Sequence, residues 1–245
     1  MLDAITLAES LDPENRNLWR GILAIVRNDP RSAIRALRHA GQPKVLGVAY
    51  YLERQYLLFR DQMTEAIRRD SADFGPYYYL GRHYDSDVDD TEQASRWYRE
   101  SLQRNPGYAR ARSHLGNCFE RLGRTEEAKA AYEASAAVPL SQVGLGRLML
   151  AAGQPASALP FAEKALALDP RDPTALKLSA RIYSELNCPA DAARALERAA
   201  ASAPRDASTQ YQLYRAWQLL GNETKAAAAL RQFERLRAVY GLQPQ

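Results

Sequence analysis

One closing phrase recurs along this chain, an apolar-periodic run that ends on proline. It reads AESLDP at 8–13, RESLQRNP at 99–106, EKALALDP at 163–170 and ERAAASAP at 197–204, and Pro170 and Pro204 stand 34 residues apart. Proline lacks a backbone donor and stops a helix, so each phrase closes one helical unit and opens the next connection. This period constrains the chain more than its composition does. A unit of about 34 residues cannot bury its apolar face alone and has to stack on its neighbours.

A second signature precedes each phrase: an apolar residue beside a small one, with an aromatic or a methionine three positions on. The copies are Leu46-Gly47 with Tyr50, Leu80-Gly81 with Tyr84, Leu115-Gly116 with Phe119, and Leu145-Gly146 with Met149. Weaker copies pair Ala180 with Tyr183 and Leu213 with Trp217. Glycine-bearing turns follow at Leu122-Gly123-Arg124, Ala152-Gly153-Gln154 and Leu220-Gly221-Asn222. A second helix then opens on Ala94, Ala128, Ala158, Ala192 or Ala226, with Tyr98, Tyr132, Ala162, Leu196 or Leu230 four residues later. Small and large side chains at i and i+4 let two helices interlock at short distance. The unit is a helical hairpin, helix A and helix B.

This pattern resembles the tetratricopeptide repeat, a helix–turn–helix unit with the signature W-x2-L-G-x2-Y, A-x3-F and a closing proline. The resemblance implies an all-α, right-handed superhelical solenoid spanning 1–245. Five clear repeats are expected at 74–108, 109–138, 139–172, 173–206 and 207–236, starting at Phe74, Ala109, Pro139, Pro173 and Ala207. One extra residue in the acidic turn DSDVDD (85–90) lengthens the first, and a shortened connection near Val138-Pro139 is expected to shorten the second. Two divergent repeats are expected over 14–73, with Gly21 and Ala33 kept and Phe59 where helix B wants alanine. Residues 1–13 read as a helix B without its helix A, either the edge of a fragment or an N-terminal cap. Residues 237–245 read as a C-terminal cap or tail.

Composition narrows the function. A chain of 245 residues, 46% hydrophobic and 25% charged, is an ordinary globular one. No stretch approaches about 18 consecutive apolar residues, so no membrane insertion is expected. The N-terminus carries acids where a secretory signal carries basic residues. Two cysteines (Cys118, Cys188), read as small packing fillers, and three scattered histidines (His39, His83, His114) argue against a disulfide scaffold or a metalloenzyme. No P-loop, nucleophile elbow, zincin or dinucleotide motif is present. The DSDVDD run opens like an EF-hand loop but puts Asp90 where glycine should turn the chain and Arg96 where the closing glutamate should be. It reads instead as a solvated turn whose Asp90 or Thr91 caps the next helix. The expectation is a non-enzymatic protein with no cofactor.

Of 33 basic residues 28 are arginine, the mark of a GC-rich, bacterial genome, and the net charge is +4. In superhelices of this family helix A lines the concave groove, and the residue after the small one points into it. The resemblance therefore implies a ladder of Arg82, Asn117, Arg147, Arg181 and Arg215. Four residues earlier on the same faces come Tyr78, Ser113, Val143, Lys177 and Tyr211, with Arg110 and His114 flanking the second rung. Arginine forks and tyrosines suit a protein or peptide partner, acidic or extended. The competing reading pairs these arginines with Asp85, Glu120 or Glu185 nearby. Trp19, Ile22, Val48, Tyr51 and Leu52 give the N-terminal part an apolar face, read either as core or as a second patch. The family's carboxylate-clamp pattern fails, since Ser113 and Gly144 replace its lysine and second asparagine. Two alternatives stand beside a protein-binding scaffold. One is a regulatory or recruiting module of a larger enzyme or of a secretion or assembly system. The other is a weak polyanion binder, with nucleic acid disfavoured by the small basic excess. A native start at Met1 points to the cytoplasm, and a fragment of a longer chain leaves the periplasm open.

Overall fold

The structure, a computed structural model, describes residue 12 and residues 14–240. Most of the half-repeat expected at 1–13, and 241–245 of the expected tail, lie outside the described residues. Among the described residues the chain forms fourteen α-helices and no strand. They follow as pairs, A then B: α1 (Arg16–Val26) and α2 (Pro30–Leu37), α3 (Pro43–Leu52) and α4 (Tyr56–Arg69), α5 (Phe74–His83) and α6 (Thr91–Arg104), α7 (Ala109–Arg121) and α8 (Thr125–Glu133). Then come α9 (Pro139–Ala151) and α10 (Pro155–Leu168), α11 (Pro173–Glu185) and α12 (Pro189–Ser202), and α13 (Ala207–Leu219) and α14 (Glu223–Tyr240). Contacts divide the chain into two compact units, residues 1–111 and 112–245.

Local sequence sets the helix ends. Six helices, from α2 to α12, open on proline, where the missing donor would have been unpaired anyway. Asp29, Asp73, Asp90, Asp172 and Asp206 cap five helices by accepting backbone N–H groups of the first turn. Between A and B each hairpin turns on one residue in the left-handed region: Asn28, Arg54, Asp89, Gly123, Gly153, Asn187 and Gly221. In six of these turns the next N–H returns to a carbonyl five residues back, as Asp29 N to Ala24 O and Cys188 N to Tyr183 O, closing the last helical turn. The seventh is the acidic turn. Its extra residue is taken up by a π-helical turn at Tyr84–Val88, and Asp90 N reaches six residues back to Tyr84 O.

The shorter repeat corrects an expectation. Its connection (134–138) is no shorter than the others; helix B is, since α8 has 9 residues where α6, α10 and α12 have 14. Ser135 and Ser141, both buried, share a 2.8 Å hydrogen bond across this junction.

Glycine and alanine set the A–B spacing as the pattern requires. A Cβ on Gly81 would lie 2.7 Å from the ring of Tyr98, on Gly47 2.5 Å from Met63, and on Gly21 2.3 Å from Leu37. In unit 1 the core gathers around Leu37, Phe59 and Met63, and the N-terminal apolar face divides: Val48 and Tyr51 pack on that core while Leu52 is exposed. Ile22 is half-buried, as is Trp19, whose indole N–H donates to Asp12. Unit 2 holds one core around Val143, Leu178 and Ile182 and another around Ala180, Leu196 and Leu213. Where Ala162 leaves space beside Gly146, Leu178 fills it. Cys118 is buried and Cys188 half-buried, both as free thiols.

Several arginines are structural. Arg69 donates to Gly41 O at 2.7 Å, Arg104 to Ser71 O at 2.7 Å and Arg198 to Pro170 O at 3.1 Å. Each brace runs from helix B to the connection that opens its own hairpin. Arg104 also lies 3.7 Å above the ring of Tyr77. A different tie links neighbours: Lys44 bonds Asp73, and Lys177 bonds Asp206 at 2.9 Å. Both lysines stand three residues before the small residue of helix A, and both aspartates cap the next helix A.

Candidate partner-binding cleft

In unit 2 the A helices α9, α11 and α13 border a cleft of about 640 Å³. Its floor is apolar: Val143, Leu178, Leu196 and Ala216 are buried, and Leu219 stands 80% exposed at one edge. Arg147, Lys177, Arg181 and Arg215 line the same cleft, so four basic residues predicted for the groove come together here. Their electrostatic states differ.

Arg147 is committed inside the protein. Its Nη2 lies 2.7 Å and its Nε 2.9 Å from the two Glu120 oxygens, and Nη2 also donates to Asn117 at 3.2 Å. The Tyr132 hydroxyl donates to Glu120 at 2.7 Å, and burial first, then that carboxylate, drive the phenol's pKa far above its usual range. Tyr132 is itself clasped by glycines: a Cβ on Gly116 would meet its ring at 2.8 Å, and one on Gly144 at 2.2 Å. Gly144, which breaks the carboxylate-clamp pattern, thus makes room for a tyrosine. Lys177 is tied to Asp206. Burial opposes ionisation of Asp206, but hydrogen bonds from Lys177, Ser208 and Thr209 outweigh it and hold the carboxyl far below its usual range.

Arg181 and Arg215 are exposed and have no hydrogen-bond or ion-pair partner among the described residues. A guanidinium without a counter-charge keeps its planar donor fork available to a carboxylate. All of the chain's basic excess lies in this part of the sequence, with 17 basic and 13 acidic residues between 112 and 245.

The other predicted groove residues are placed differently. Ser113 and Val143 are buried, and His114 is half-buried. Tyr211 is 44% exposed, its ring 5.3 Å from Phe233. Arg110 is exposed in the first turn of α7. Tyr78, in unit 1, is buried at 7% exposure among Tyr79, Tyr98 and Tyr108, and offers a partner little surface. Arg82, also in unit 1, is half-buried. Sequence reasoning reached Val143 but missed Leu178, Leu196, Ala216 and Leu219 of the cleft. Leu219, four residues after Arg215 on the same helix face, was the available signal.

Residues 109–138 and 149–217 match two family models, both described as tetratricopeptide repeat. No curated protein matches the sequence. Among solved structures, PilW, a widely conserved type IV pilus biogenesis factor, is 20% identical, over 82% of this chain and 93% of its own, with a TM-score of 0.67. Pseudomonas aeruginosa PilF is 19% identical, over 87% and 95%, with a TM-score of 0.66. A tetratricopeptide repeat protein of Parabacteroides merdae is 15% identical, over 90% and 92%, with a TM-score of 0.68. Likeness at these identities is a likeness of fold.

Proposed function

The chain is a tetratricopeptide repeat protein, and from that premise we propose that it is a binding module whose cleft between α9, α11 and α13 takes an extended, acidic segment of a partner protein. The observation that carries this reading is the pair Arg181 and Arg215, exposed and uncompensated over an apolar floor. Carboxylates of the segment meet the two guanidiniums, and aliphatic side chains between them cover Leu178, Ala216 and Leu219. Stacked helices hold these groups in place before the partner arrives, so docking carries little reorganisation cost. Charge at the rim sets the encounter rate and the register, and the apolar floor supplies the burial.

Panning a random dodecapeptide library against the full chain, followed by fluorescence anisotropy of the recovered peptides, tests the reading. The recovered peptides should place Asp or Glu beside aliphatic residues and lose at least tenfold in affinity to an Arg181→Ala/Arg215→Ala variant. Peptides without acids, or with equal affinity for both proteins, would refute it.

A further inference from the structure

In unit 1 the turns between helices A and B line up along one edge. Arg31, at the start of α2, lies 2.7 Å from Glu53 at the end of α3. The Tyr56 hydroxyl, at the start of α4, donates to Asp87 of the π-helical turn at 2.8 Å. These two bonds hold the turns of the first three hairpins side by side. Along the edge stand Val26, Leu52, Leu57, Leu58 and Val88, the only large apolar side chains exposed among the described residues of unit 1. Leu57 alone keeps 71% of its surface in water. Single exposed apolar residues need no explanation, but a row of them marks a contact surface.

The charge reverses along this row. Residues 14–40 carry six arginines against two acids, and Arg27, next to Val26, is exposed with no ion pair among the described residues. Asp29 in the same turn is engaged as the cap of α2. The middle turn carries both signs, in the exposed Arg54, Arg60 and Asp61. The third turn holds Asp85, Asp87, Asp89 and Asp90 around Val88, and no basic residue.

We propose that this edge is the interface of a symmetric dimer, in which two copies of the chain meet edge to edge about a two-fold axis at the middle hairpin. Such an axis sets residue i against j and j against i. Arg27 of each copy then faces the four aspartates of the other, and Val26 lies beside Val88. Leu52, Leu57 and Leu58 of both copies meet at the centre. A strip with arginine at one end, aliphatic side chains in the middle and carboxylates at the other end is complementary to itself reversed. An anionic bilayer would attract the first turn and repel the third, whereas a second copy matches both. The charged ends set the register, and the apolar centre supplies the burial. The edge lies in residues 1–111 and shares no residue with the cleft in 112–245.

Sedimentation equilibrium of the full chain over a concentration series tests the proposal. The wild type should show a reversible monomer–dimer equilibrium, and Leu57→Glu should raise its dissociation constant about tenfold or more. Arg27→Glu and Ser86→Lys should each weaken the dimer. The double variant Arg27→Glu/Ser86→Lys should restore it, because the two-fold axis sets the first turn of one copy against the third turn of the other. All three positions are exposed, so the variants should melt with the wild type. If Leu57→Glu melts lower, Leu57→Gln, which adds no charge, carries the comparison. A monomer at every concentration, a dimer indifferent to the Leu57 variants, or charge variants whose losses simply add would overturn the proposal. So would a monomeric chain that co-sediments with phosphatidylglycerol vesicles and loses them in Leu57→Glu, since that marks a lipid-docking edge.

Discussion

Replacing Gly144 by alanine tests the clasp around Tyr132. The new Cβ would stand 2.2 Å from Cζ and 2.3 Å from Cε2 of that ring. The ring cannot slide away, because its other side rests on Gly116, where a Cβ would lie 2.8 Å from Cδ1 and Cε1. Relief requires the helices to part or the tyrosine to leave its 2.7 Å bond to Glu120. Overpacking costs about 1–3 kcal/mol, and a hydrogen bond to a charged group is worth about 1.5–3 kcal/mol. Alanine recovers about 1 kcal/mol over glycine inside a helix. The net expectation is a loss of about 1–2 kcal/mol, read as a shift of the urea midpoint by circular dichroism at unchanged slope. A second background sharpens the test. In Tyr132→Ala the obstacle is gone, and Gly144→Ala should stabilise by about 1 kcal/mol. A Gly144→Ala protein as stable as the wild type, or the same loss in both backgrounds, would refute the packing argument.

Other outcomes follow from the same contacts. Arg147→Ala should lower stability by about 1–2 kcal/mol because it leaves Glu120 half-buried and unpaired, whereas Arg181→Ala should change it by less than about 0.5 kcal/mol; thermal melts of the two compare equivalent positions on adjacent A helices. Arg54→Asn should stabilise by about 0.5–1 kcal/mol, since Arg54 holds φ 58° and asparagine tolerates that region better; chemical denaturation reads the gain. The Asp206 carboxyl is depressed in the folded state, so its contribution is complete above the unfolded value of about 3.9 and is lost as pH falls through the folded value. Stability measured from pH 7 to pH 2 should therefore fall less steeply in Asp206→Asn than in the wild type.

Small residues made the fold legible. Gly47, Gly81 and Gly116 could be read as crossing points because nothing else at those positions lets two helices meet, and the 35-residue spacing announced the extra residue that became the π-helical turn. The site was legible only in part. Helical spacing brought Arg147, Arg181 and Arg215 to one face, but which of them keeps its charge free depends on what the neighbouring repeat presents. Glu120, 27 residues before Arg147, takes that arginine, and among the described residues no acid does the same for Arg181. Asp85, an expected partner for Arg82, lies instead within reach of Tyr98. The shortened helix α8 was misplaced because alanine-rich sequence at 130–137 suits a helix or its end equally well.

The arginine braces bear on how such a chain is assembled over generations. Arg69, Arg104 and Arg198 each fasten the open end of the hairpin to which they belong, and the left-handed turn fastens the other end. A duplication that copies one hairpin copies both fastenings with it, and a deletion that removes one severs neither in the hairpins left behind. What has to be remade at the new junction is the apolar packing between neighbouring hairpins and, as at Lys44 and Lys177, the lysine reaching forward to the next capping aspartate. Lengthening or trimming the array is then a matter of whole modules, with the seams already marked in the sequence.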